Sequence, residues 1–313
     1  MYAEKAGMII QEVKRAVIGK DNCIYKVMMA MLAGGHILLE DIPGVGKTTM
    51  ALAFSKACAL QQNRVQFTPD VLPSDITGFS IYRKETGIFE YRPGAAMCNL
   101  FLADEINRTS PKTQSALLEV MEEGHVTVDG ITRDVPKPFM VIATQNPVGS
   151  AGTQMLPESQ LDRFMICLSM GYPNVENEIA ILKGRDSGNP ISDILPIIRG
   201  EELLLMQKET EQVFIHDRIF TYMAELAAAT RTHPMLELGL SPRGTLALAK
   251  MSKAAAFLNG RNYVTPADVV FIFKDVALHR IRLSSKARVS RVTADAVADS
   301  VLEQVDRPTP KRL

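Results

Sequence analysis

Seven consecutive residues have the composition of a phosphate-binding loop: Pro43, Gly44, Val45, Gly46, Lys47, Thr48 and Thr49. Glycines let the backbone curve around a bulky anion, so that backbone N–H groups reach the phosphate oxygens. The helical pattern that follows predicts a positive partial charge at a helix N-terminus. Lys47 is long enough to reach the β- and γ-phosphates, and the Thr48 hydroxyl can ligate Mg²⁺. Asp41 occupies the first position, where the strict pattern has glycine, but that position contributes more to the turn than to phosphate binding.

Two adjacent carboxylates, Asp104 and Glu105, follow the apolar run 100–103. Such a run is typical of a buried strand, and the carboxyl ends of strands in α/β proteins face the crevice where ligands bind. Because side chains alternate along a strand, the two carboxylates point in different directions and suit two different roles. We expect Asp104 to hold Mg²⁺, directly or through water, and Glu105 to orient and polarise an attacking water molecule.

A third polar position, Asn146, follows the apolar run 141–143 and precedes a proline. Taken alone, an Asn-Pro pair is an ordinary turn former. Here it comes after a phosphate loop and a strand that ends in carboxylates. In that order of elements we expect the Asn146 side chain to lie beside Glu105 and to bind the γ-phosphate or the attacking water.

The elements that must position these residues are predicted by the hydrophobic pattern. Short apolar runs without alternation are typical of strands buried on both faces, as in a parallel sheet covered by helices. Helical patterns at 49–60 and 111–122 lie between such runs. The predicted fold class is an α/β P-loop NTPase, an αβα sandwich around a parallel five-stranded sheet, with candidate strands at 36–39, 64–67, 100–102, 139–144 and 165–168.

Two further segments predict β-hairpins outside this sheet. Residues 125–129 and 131–135 alternate around Asp129-Gly130, which is a strong signal for a two-residue turn. Residues 80–83 and 88–92 flank a second turn that contains glycine.

The two halves of the chain differ in their pattern. Strand signals fade after about residue 200, and helical periodicity then dominates. Residues 173–200 contain several glycines and prolines, as expected of a connector between domains. The length of 313 residues also suggests about two domains. We therefore predict a nucleotide-binding core at 1–172, a connector at 173–200 and an all-α helical lid domain at 201–313.

Composition argues against several other classes of protein. The sequence carries 35 Lys and Arg and 35 Asp and Glu residues, so its formal net charge is zero. Sequence-blind nucleic-acid binders need a positive excess, so nucleic acid is not an expected partner. No run approaches the roughly 20 apolar residues of a membrane span. The four cysteines form no Cys-x-x-Cys pair and suit reduced, buried thiols, which favours a cytoplasmic location.

Taken together, these motifs resemble the AAA+ ATPases and, within them, the MoxR family. The resemblance covers nearly the whole chain, and in this family Asp41 ahead of the Pro-Gly turn is unexceptional. The most specific matching stretches are 66–70, 72–78, 89–94, 102–108, 111–119, 156–164, 171–173, 241–243 and 263–269.

The resemblance implies roles for two arginines. Arg163 resembles the arginine finger, which completes the site of a neighbouring subunit; the alternative is a structural salt bridge with Asp162 or another acid. Arg243 resembles the sensor-2 arginine, which the lid carries to the phosphates of its own chain. Its alternative is an arginine at a helix start that faces solvent. A planar, permanently charged guanidinium suits the charge of a transferred phosphoryl group.

Three other regions also acquire an interpretation. Val17, Ile18 and Gly19 resemble the segment beside the adenine, where Lys20 stands at a position expected to be glutamine. The hairpins fall where this branch of AAA+ proteins carries insertions that face the central pore or a client; the alternative is that they only cap the sheet edge. The basic run 279–291 resembles a nucleic-acid patch, but no aromatic residue interleaves it, so a solvated lid face or a subunit contact is favoured.

The combined prediction is an ATPase that uses ATP and Mg²⁺, with ATP between core and lid. An arginine acting in trans implies a homo-oligomeric ring, expected to be a hexamer. MoxR relatives imply chaperone-like remodelling or maturation of a client, with von Willebrand factor A-domain proteins as a partner class. The alternatives are a nucleic-acid-directed or chelatase-type motor and an ATP-binding scaffold with little turnover. The transition state would be stabilised by Lys47, Asn146, Arg243 and a neighbour's Arg163.

Overall fold

The computed structural model of the protein describes residues 2–42, 44–146, 156–186 and 188–309. In chain order the strands are β1 (Ile37–Glu40), β2 (Gln62–Gln66), β3 (Gly78–Arg83), β4 (Ile88–Pro93), β5 (Leu100–Asp104), β6 (His125–Val128), β7 (Ile131–Asp134), β8 (Met140–Gln145), β9 (Ile166–Leu168), β10 (Leu236–Leu238) and β11 (Arg282–Leu283). The helices are α1 (Tyr2–Ala16), α2 (Asp21–Leu32), α3 (Lys47–Ala57), α4 (Pro73–Thr77), α5 (Pro111–Glu123), α6 (Glu158–Leu161), α7 (Val175–Asp186), α8 (Gly200–Glu211), α9 (Asp217–Thr232), α10 (Pro242–Leu258), α11 (Pro266–Ala277), α12 (Ser285–Val289) and α13 (Ala294–Gln304).

Five parallel strands form the central sheet, in the order β2-β5-β8-β1-β9. The three inner strands are almost wholly buried, because helices cover both faces of the sheet. Their side chains alternate between two apolar clusters: Ile37 and Leu39 belong to one, and Leu38 belongs to the other. This sheet confirms the predicted fold class, and each predicted strand is present with its ends shifted by at most two residues.

The two faces of the sheet carry different helices. α4 and α5 pack on one face, where Leu117 and Met121 join the smaller apolar cluster. α1, α2 and α3 cover the other face, and their apolar cluster continues into α8–α11 and α13. Because one cluster joins the sheet to the C-terminal helices, the limits of core, connector and lid stay a prediction.

The C-terminal part is mainly helical. α10 begins at a proline directly after Ser241, whose hydroxyl accepts from the Gly244 backbone nitrogen at 3.0 Å and so caps the helix. The part also contains β10 and β11, which pair antiparallel and were not predicted. They are three and two residues long, too short for a periodic pattern to reveal.

Both predicted hairpins are present. β6 and β7 meet at Asp129 and Gly130, which have φ values of 52° and 73° as the primed two-residue turn requires. β3 and β4 form a longer antiparallel pair whose exposed side chains include Tyr82 and Phe89, with ring centroids 5.3 Å apart. Among the described residues, none of the helices is long and apolar enough to cross a membrane.

Candidate functional site

The predicted phosphate loop connects the end of β1 to the start of α3. Gly44 and Gly46 have φ values of 87° and 97°, in the left-handed region that glycine adopts without strain. Lys47 is buried, and its Nζ donates to the Asp41 carbonyl at 2.6 Å. Burial lowers the pKa of Lys47, while nearby carboxylates oppose this shift. Pro43 lies outside the described residues.

Asp41, at the position that departs from the strict loop pattern, ties this loop to the chain after β9. Its Oδ2 accepts from the backbone nitrogens of Met170 and Gly171 at 2.5 and 2.7 Å, and from the Ser169 hydroxyl at 3.1 Å. The Lys20 ammonium donates to the carbonyls of Met170 and Gly171 at 2.6 and 2.8 Å. The same short segment is therefore held by two side chains: Asp41 binds its backbone N–H groups and Lys20 binds its carbonyl groups.

A cavity of about 300 Å³ lies at the carboxyl edge of the sheet, in front of the loop. It brings together the residues that the sequence predicts to bind phosphate and metal, from three separate strand ends. Its lining includes Gly44, Gly46, Lys47, Thr48, Thr49, Asp104, Glu105 and Asn146, together with Arg64, Gln66 and Thr144.

A second, more apolar cavity of about 160 Å³ continues from the first, because both contact Gly44, Gly46 and Thr49. Val17, Ile18 and Val45 line it, where the resemblance places the adenine. Gly19 lies next to it and has a φ of 71°. A Cβ at Gly19 would lie 2.1 Å from the Asn177 side chain on α7, so another residue would need Asn177 to move and would be strained by this φ.

Asp104 ends β5 and is buried within the site. Its Oδ2 accepts from Arg64 Nε at 2.7 Å, and its Oδ1 accepts from the Thr144 hydroxyl at 3.3 Å. Arg64 lies on β2, the neighbouring strand, and half of its side chain is exposed. A cation from the protein thus contacts the carboxylate that the sequence predicts to hold Mg²⁺.

Glu105 has a backbone conformation that is rare for a residue with a side chain, with φ 57° and ψ 47°. Such a conformation costs about 1–3 kcal/mol and is often found at functional sites. Its backbone nitrogen donates to the Thr144 hydroxyl at 2.9 Å, which helps to hold this turn. Arg108 Nη1 donates to Glu105 Oε2 at 2.7 Å, and this contact lowers the pKa of Glu105. The carboxylate is therefore held in its charged form.

Asn146 follows β8 and is held through its backbone. Its nitrogen donates to Asn107 Oδ1 at 3.4 Å, and its carbonyl accepts from Asn107 Nδ2 at 3.2 Å. The Asn146 side-chain amide also lowers the pKa of Glu105, which agrees with the predicted proximity of the two. Asn146 Oδ1 is buried without a hydrogen-bond partner in the part of the chain that the structure describes. Such an atom needs a partner from a ligand or water.

The oxygen atoms in this cavity fit a magnesium ion. Mg²⁺ prefers oxygen ligands and usually takes one or two carboxylates, with phosphate oxygens and water completing its shell. The Asp104 carboxylate and the Thr48 hydroxyl line this cavity, and the unpartnered Asn146 Oδ1 beside them can accept a hydrogen bond from a water molecule. Within the described ranges there is no cluster of three or more His, Cys, Asp or Glu side chains of the kind that binds other metals.

Arg163 and Arg243 lie together in a different cavity of about 310 Å³. Both guanidinium groups form ion pairs with Glu122 on α5, one with each carboxylate oxygen. Arg163 Nη1 also donates to the Leu118 carbonyl at 2.8 Å. No described residue lines both this cavity and the one that contains Lys47.

Arg243, which the resemblance predicts to contact the phosphates of its own chain, lies beside Arg163 in this structure. The physical reason is a link at the start of α10, where the Ser241 hydroxyl donates to the Asp162 carboxylate at 2.9 Å. Asp162 precedes Arg163, so this link places the two arginines side by side. Asp162 also pairs with Arg280 rather than with Arg163. Arg280 is only 5% exposed, so the interpretation of the basic run 279–291 as a solvated face is wrong at this residue.

The chain is similar to known proteins over most of its length. Residues 36–166 match the family model "ATPase family associated with various cellular activities (AAA)", and residues 228–301 match "AAA lid domain". A Bacillus subtilis relative, uncharacterised protein YeaC, is 46% identical, over 97% of this chain and 95% of its own length. Chaperone MoxR1 of Mycobacterium tuberculosis is 37% identical, over 96% of this chain and 81% of its own length. This chain belongs to the MoxR family of AAA+ ATPases.

The fold of this MoxR-family chain also matches a solved structure. A crystal structure of a candidate ATPase from Cytophaga hutchinsonii superposes with a TM-score of 0.92 at 36% identity, and covers 98% of this chain and 96% of that one. The matched core model includes Lys47, Asp104 and Glu105, and the matched lid model includes Arg243.

Several residues around the MoxR-family site are not predicted by the motifs. Arg64 and Thr144 contact Asp104, and Asn107 holds the backbone of Asn146. Their only signal in the sequence is position, because each lies within two residues of a strand end or a predicted site residue. Glu122 carries no such signal, because its partners are 41 and 121 residues away in the chain.

Proposed function

We propose that this MoxR-family protein is a Mg²⁺-dependent ATPase that hydrolyses ATP at the subunit interfaces of a ring. Hydrolysis drives chaperone-like remodelling or maturation of partner proteins. One observation carries this proposal: a single cavity is lined by Lys47, Asp104, Glu105 and Asn146. The apolar cavity next to it is placed where it can bind the adenine of the nucleotide.

Nucleotide binding follows from the two adjoining cavities. Val17 and Ile18 pack against the adenine, and the backbone of Gly44–Gly46 and the N-terminus of α3 bind the phosphates. Lys47 then moves its ammonium from the Asp41 carbonyl to the β- and γ-phosphates. Thr48 and Asp104 would hold Mg²⁺, which would supply neutralising charge to the phosphate oxygens.

Glu105 activates the attacking water in this proposal. Arg108 keeps the carboxylate ionised, and the Thr144 hydroxyl fixes the turn from which it projects. An ionised carboxylate accepts a hydrogen bond from water and polarises it toward the γ-phosphorus. Asn146 Oδ1 is an acceptor for the second proton of that water, and its amide is a donor for the γ-phosphate.

Arg163 and Arg243 complete the site of a neighbouring chain. They share a cavity with each other and not with Lys47, so they are available to a nucleotide that is bound elsewhere. Two guanidinium groups stabilise the charge that spreads over the γ-phosphoryl oxygens in the transition state. Every site has a neighbour to complete it only if the subunits close into a ring, and we propose a hexamer.

The client side of the proposal is supported by one surface. The hairpin β3–β4 exposes Tyr82, Ile88 and Phe89, with Phe89 71% exposed, and large exposed apolar patches often mark protein contacts. The relative named Chaperone MoxR1 supports a client-directed role. A von Willebrand factor A-domain protein is the partner class that we propose, and the cytoplasm is the proposed location.

The test is ATP hydrolysis by Glu105→Gln measured beside the wild-type protein. The amide keeps the shape of the side chain but no longer polarises water, so we expect the hydrolysis rate to fall by at least about 100-fold. ATP binding, followed with a fluorescent ATP analogue, should stay within about threefold.

Glu119→Gln is the matched control, because Glu119 is an exposed glutamate on α5 outside both cavities. It should hydrolyse ATP as the wild type does. Equal rates for wild type and Glu105→Gln would contradict the catalytic assignment, and no ATP binding by either protein would contradict the proposed function.

A further inference from the structure

The carboxylate of Asp162 joins two parts of the chain that each carry a proposed active-site arginine. The Ser241 hydroxyl lies 2.9 Å from both carboxylate oxygens. Asp162 immediately precedes Arg163, and Arg243 lies two residues after Ser241. This hydrogen bond therefore joins two residues that are 79 positions apart in the chain, and each of them lies within two residues of one of the arginines.

Ser241 also fixes the direction of α10. Its oxygen accepts from the Gly244 backbone nitrogen at 3.0 Å, so the same hydroxyl caps the helix and contacts Asp162. Arg243 is in the first turn of this helix. The orientation of the Arg243 side chain thus depends on where Asp162 holds the N-terminus of α10.

Arg280 holds the other side of this arrangement. Its Nε donates to Asp162 Oδ1 at 2.8 Å, and its Nη atoms donate to the carbonyls of Asp162, Phe164 and Met165 at 3.2, 2.5 and 3.1 Å. Arg280 therefore binds carbonyl groups of residues both before and after Arg163 in the chain. Arg280 is buried, so the short segment that carries Arg163 is held by a pair largely shielded from water.

We infer that Asp162 is a positioning residue that holds Arg163 and Arg243 as one preassembled pair for the neighbouring chain's nucleotide. This inference rests on the proposed function, in which both arginines act in trans. Glu122 already accepts ion pairs from both guanidinium groups, which shows that they can reach a single anionic group together. A pair held in advance loses little freedom when a phosphate replaces Glu122.

The inference makes a specific kinetic prediction for Asp162→Asn. Misplacing a group that acts in the transition state by about 1 Å can cost 100-fold in rate. We expect kcat to fall by about 10- to 100-fold, with KM for ATP within about threefold, because Lys47 and its cavity are untouched. Ser241→Ala breaks the same link but keeps the ion pair between Asp162 and the buried Arg280, so it tests the inference in a chain less prone to unfold. Ser241→Thr retains the hydroxyl and should restore most of the rate.

Asp268 provides the matched control. Like Asp162, it accepts a hydrogen bond from the hydroxyl of a helix N-cap residue, Thr265, and pairs with an arginine, Arg261. Within the described part of the chain it contacts neither Arg163 nor Arg243. Asp268→Asn should lower the melting temperature while kcat, measured below that temperature, changes by less than about threefold. An equal loss of kcat in Asp268→Asn and Asp162→Asn would make the effect a general loss of structure and overturn the inference.

Mixed rings separate the inference from the proposed function. Glu105→Gln subunits have correctly placed arginines but lack the carboxylate that activates water. Asp162→Asn and Ser241→Ala subunits keep that carboxylate, but their arginines are misplaced. Mixing either with Glu105→Gln should raise ATPase activity at least about threefold above the mean of the two proteins alone. Arg163→Ala should be rescued in the same way. Rescue of Arg163→Ala without rescue of either positioning variant overturns the inference alone, and failure to rescue Arg163→Ala overturns the trans role in the proposed function as well.

Discussion

The Thr144 hydroxyl accepts the backbone N–H of Glu105 at 2.9 Å and donates its own proton to the Asp104 carboxylate. One hydroxyl on β8 therefore fixes both acidic residues at the end of β5. It holds Glu105 in its left-handed conformation and orients the carboxylate of Asp104. Position along the adjacent strand, rather than any motif, makes Thr144 part of the site.

Thr144→Val removes this hydroxyl while it keeps the shape of the side chain. The substitution leaves a polar group without a partner at a position that is 1% exposed, so we expect the free energy of unfolding to fall by about 1–3 kcal/mol. We also expect kcat for ATP hydrolysis to fall about 10- to 100-fold, because Glu105 is no longer held in place. Thr144→Ser retains the hydroxyl and is the control; equal rates for the two variants would contradict this role.

Arg64 is expected to compete with Mg²⁺ for Asp104. An ion pair with one exposed partner contributes up to about 1 kcal/mol, so its removal in Arg64→Gln should lower the Mg²⁺ concentration for half-maximal ATPase activity about two- to fivefold. A titration of activity with MgCl₂ at fixed ATP measures this. Arg83→Gln, which removes an arginine paired with Glu90 on the hairpin β3–β4, should leave the midpoint unchanged. A higher midpoint in Arg64→Gln would mean that Arg64 assists the metal site.

Glu122 is expected to compete with the neighbouring nucleotide for both arginines. In Glu122→Gln the two guanidinium groups lose their anionic partner, so ATPase activity at subsaturating ATP should rise about two- to fivefold. Initial rates over a range of ATP concentrations measure the change. Glu123→Gln, at the adjacent exposed position on α5, is the control. A fall in activity would show that Glu122 orients the arginines rather than occupying them.

Stability should decrease as pH falls from about 6.5 to about 4 because of His36. This side chain is half-buried, accepts from the Val141 backbone nitrogen at 3.0 Å and contacts the Met121 carbonyl at 2.9 Å. Burial lowers the pKa of His36 from 6.5 to about 4. In this pH range the unfolded chain therefore binds a proton that the folded chain does not, which destabilises the fold by on the order of 3 kcal/mol.

Urea unfolding at several pH values measures this effect. His36→Asn removes the titrating ring, so its stability should fall less steeply between pH 6.5 and 4, even if it is lower at pH 7. His279 remains and contributes in the same direction, because burial also lowers its pKa. His125→Asn, on the hairpin strand β6, is the control and should show the wild-type slope. A wild-type slope in His36→Asn would exclude His36 as the source.

Much of the fold and one side of the site follow from local sequence. The strands β1, β5 and β8 are short apolar runs, and the residues at their carboxyl ends must meet because parallel strands end at one edge. That reasoning finds Lys47, Asp104, Glu105 and Asn146 together. It does not find where Arg243 lies, because that depends on the contact between Ser241 and Asp162 and on how α10 packs. Contacts between distant parts of a chain leave no periodic pattern in the sequence.

Asp41 has a mechanical consequence for the phosphate loop. Its carbonyl accepts from Lys47, while its carboxylate accepts from two backbone nitrogens just after β9. In the proposed function Lys47 leaves this carbonyl for a phosphate, so the residue that loses the contact is the same residue that anchors the chain leading to α7. Glycine at this position would leave the loop free of that chain. The aspartate that departs from the strict loop pattern thus connects the phosphate loop to the chain after β9. Through this connection, gain or loss of a γ-phosphate can displace residues outside the nucleotide cavity.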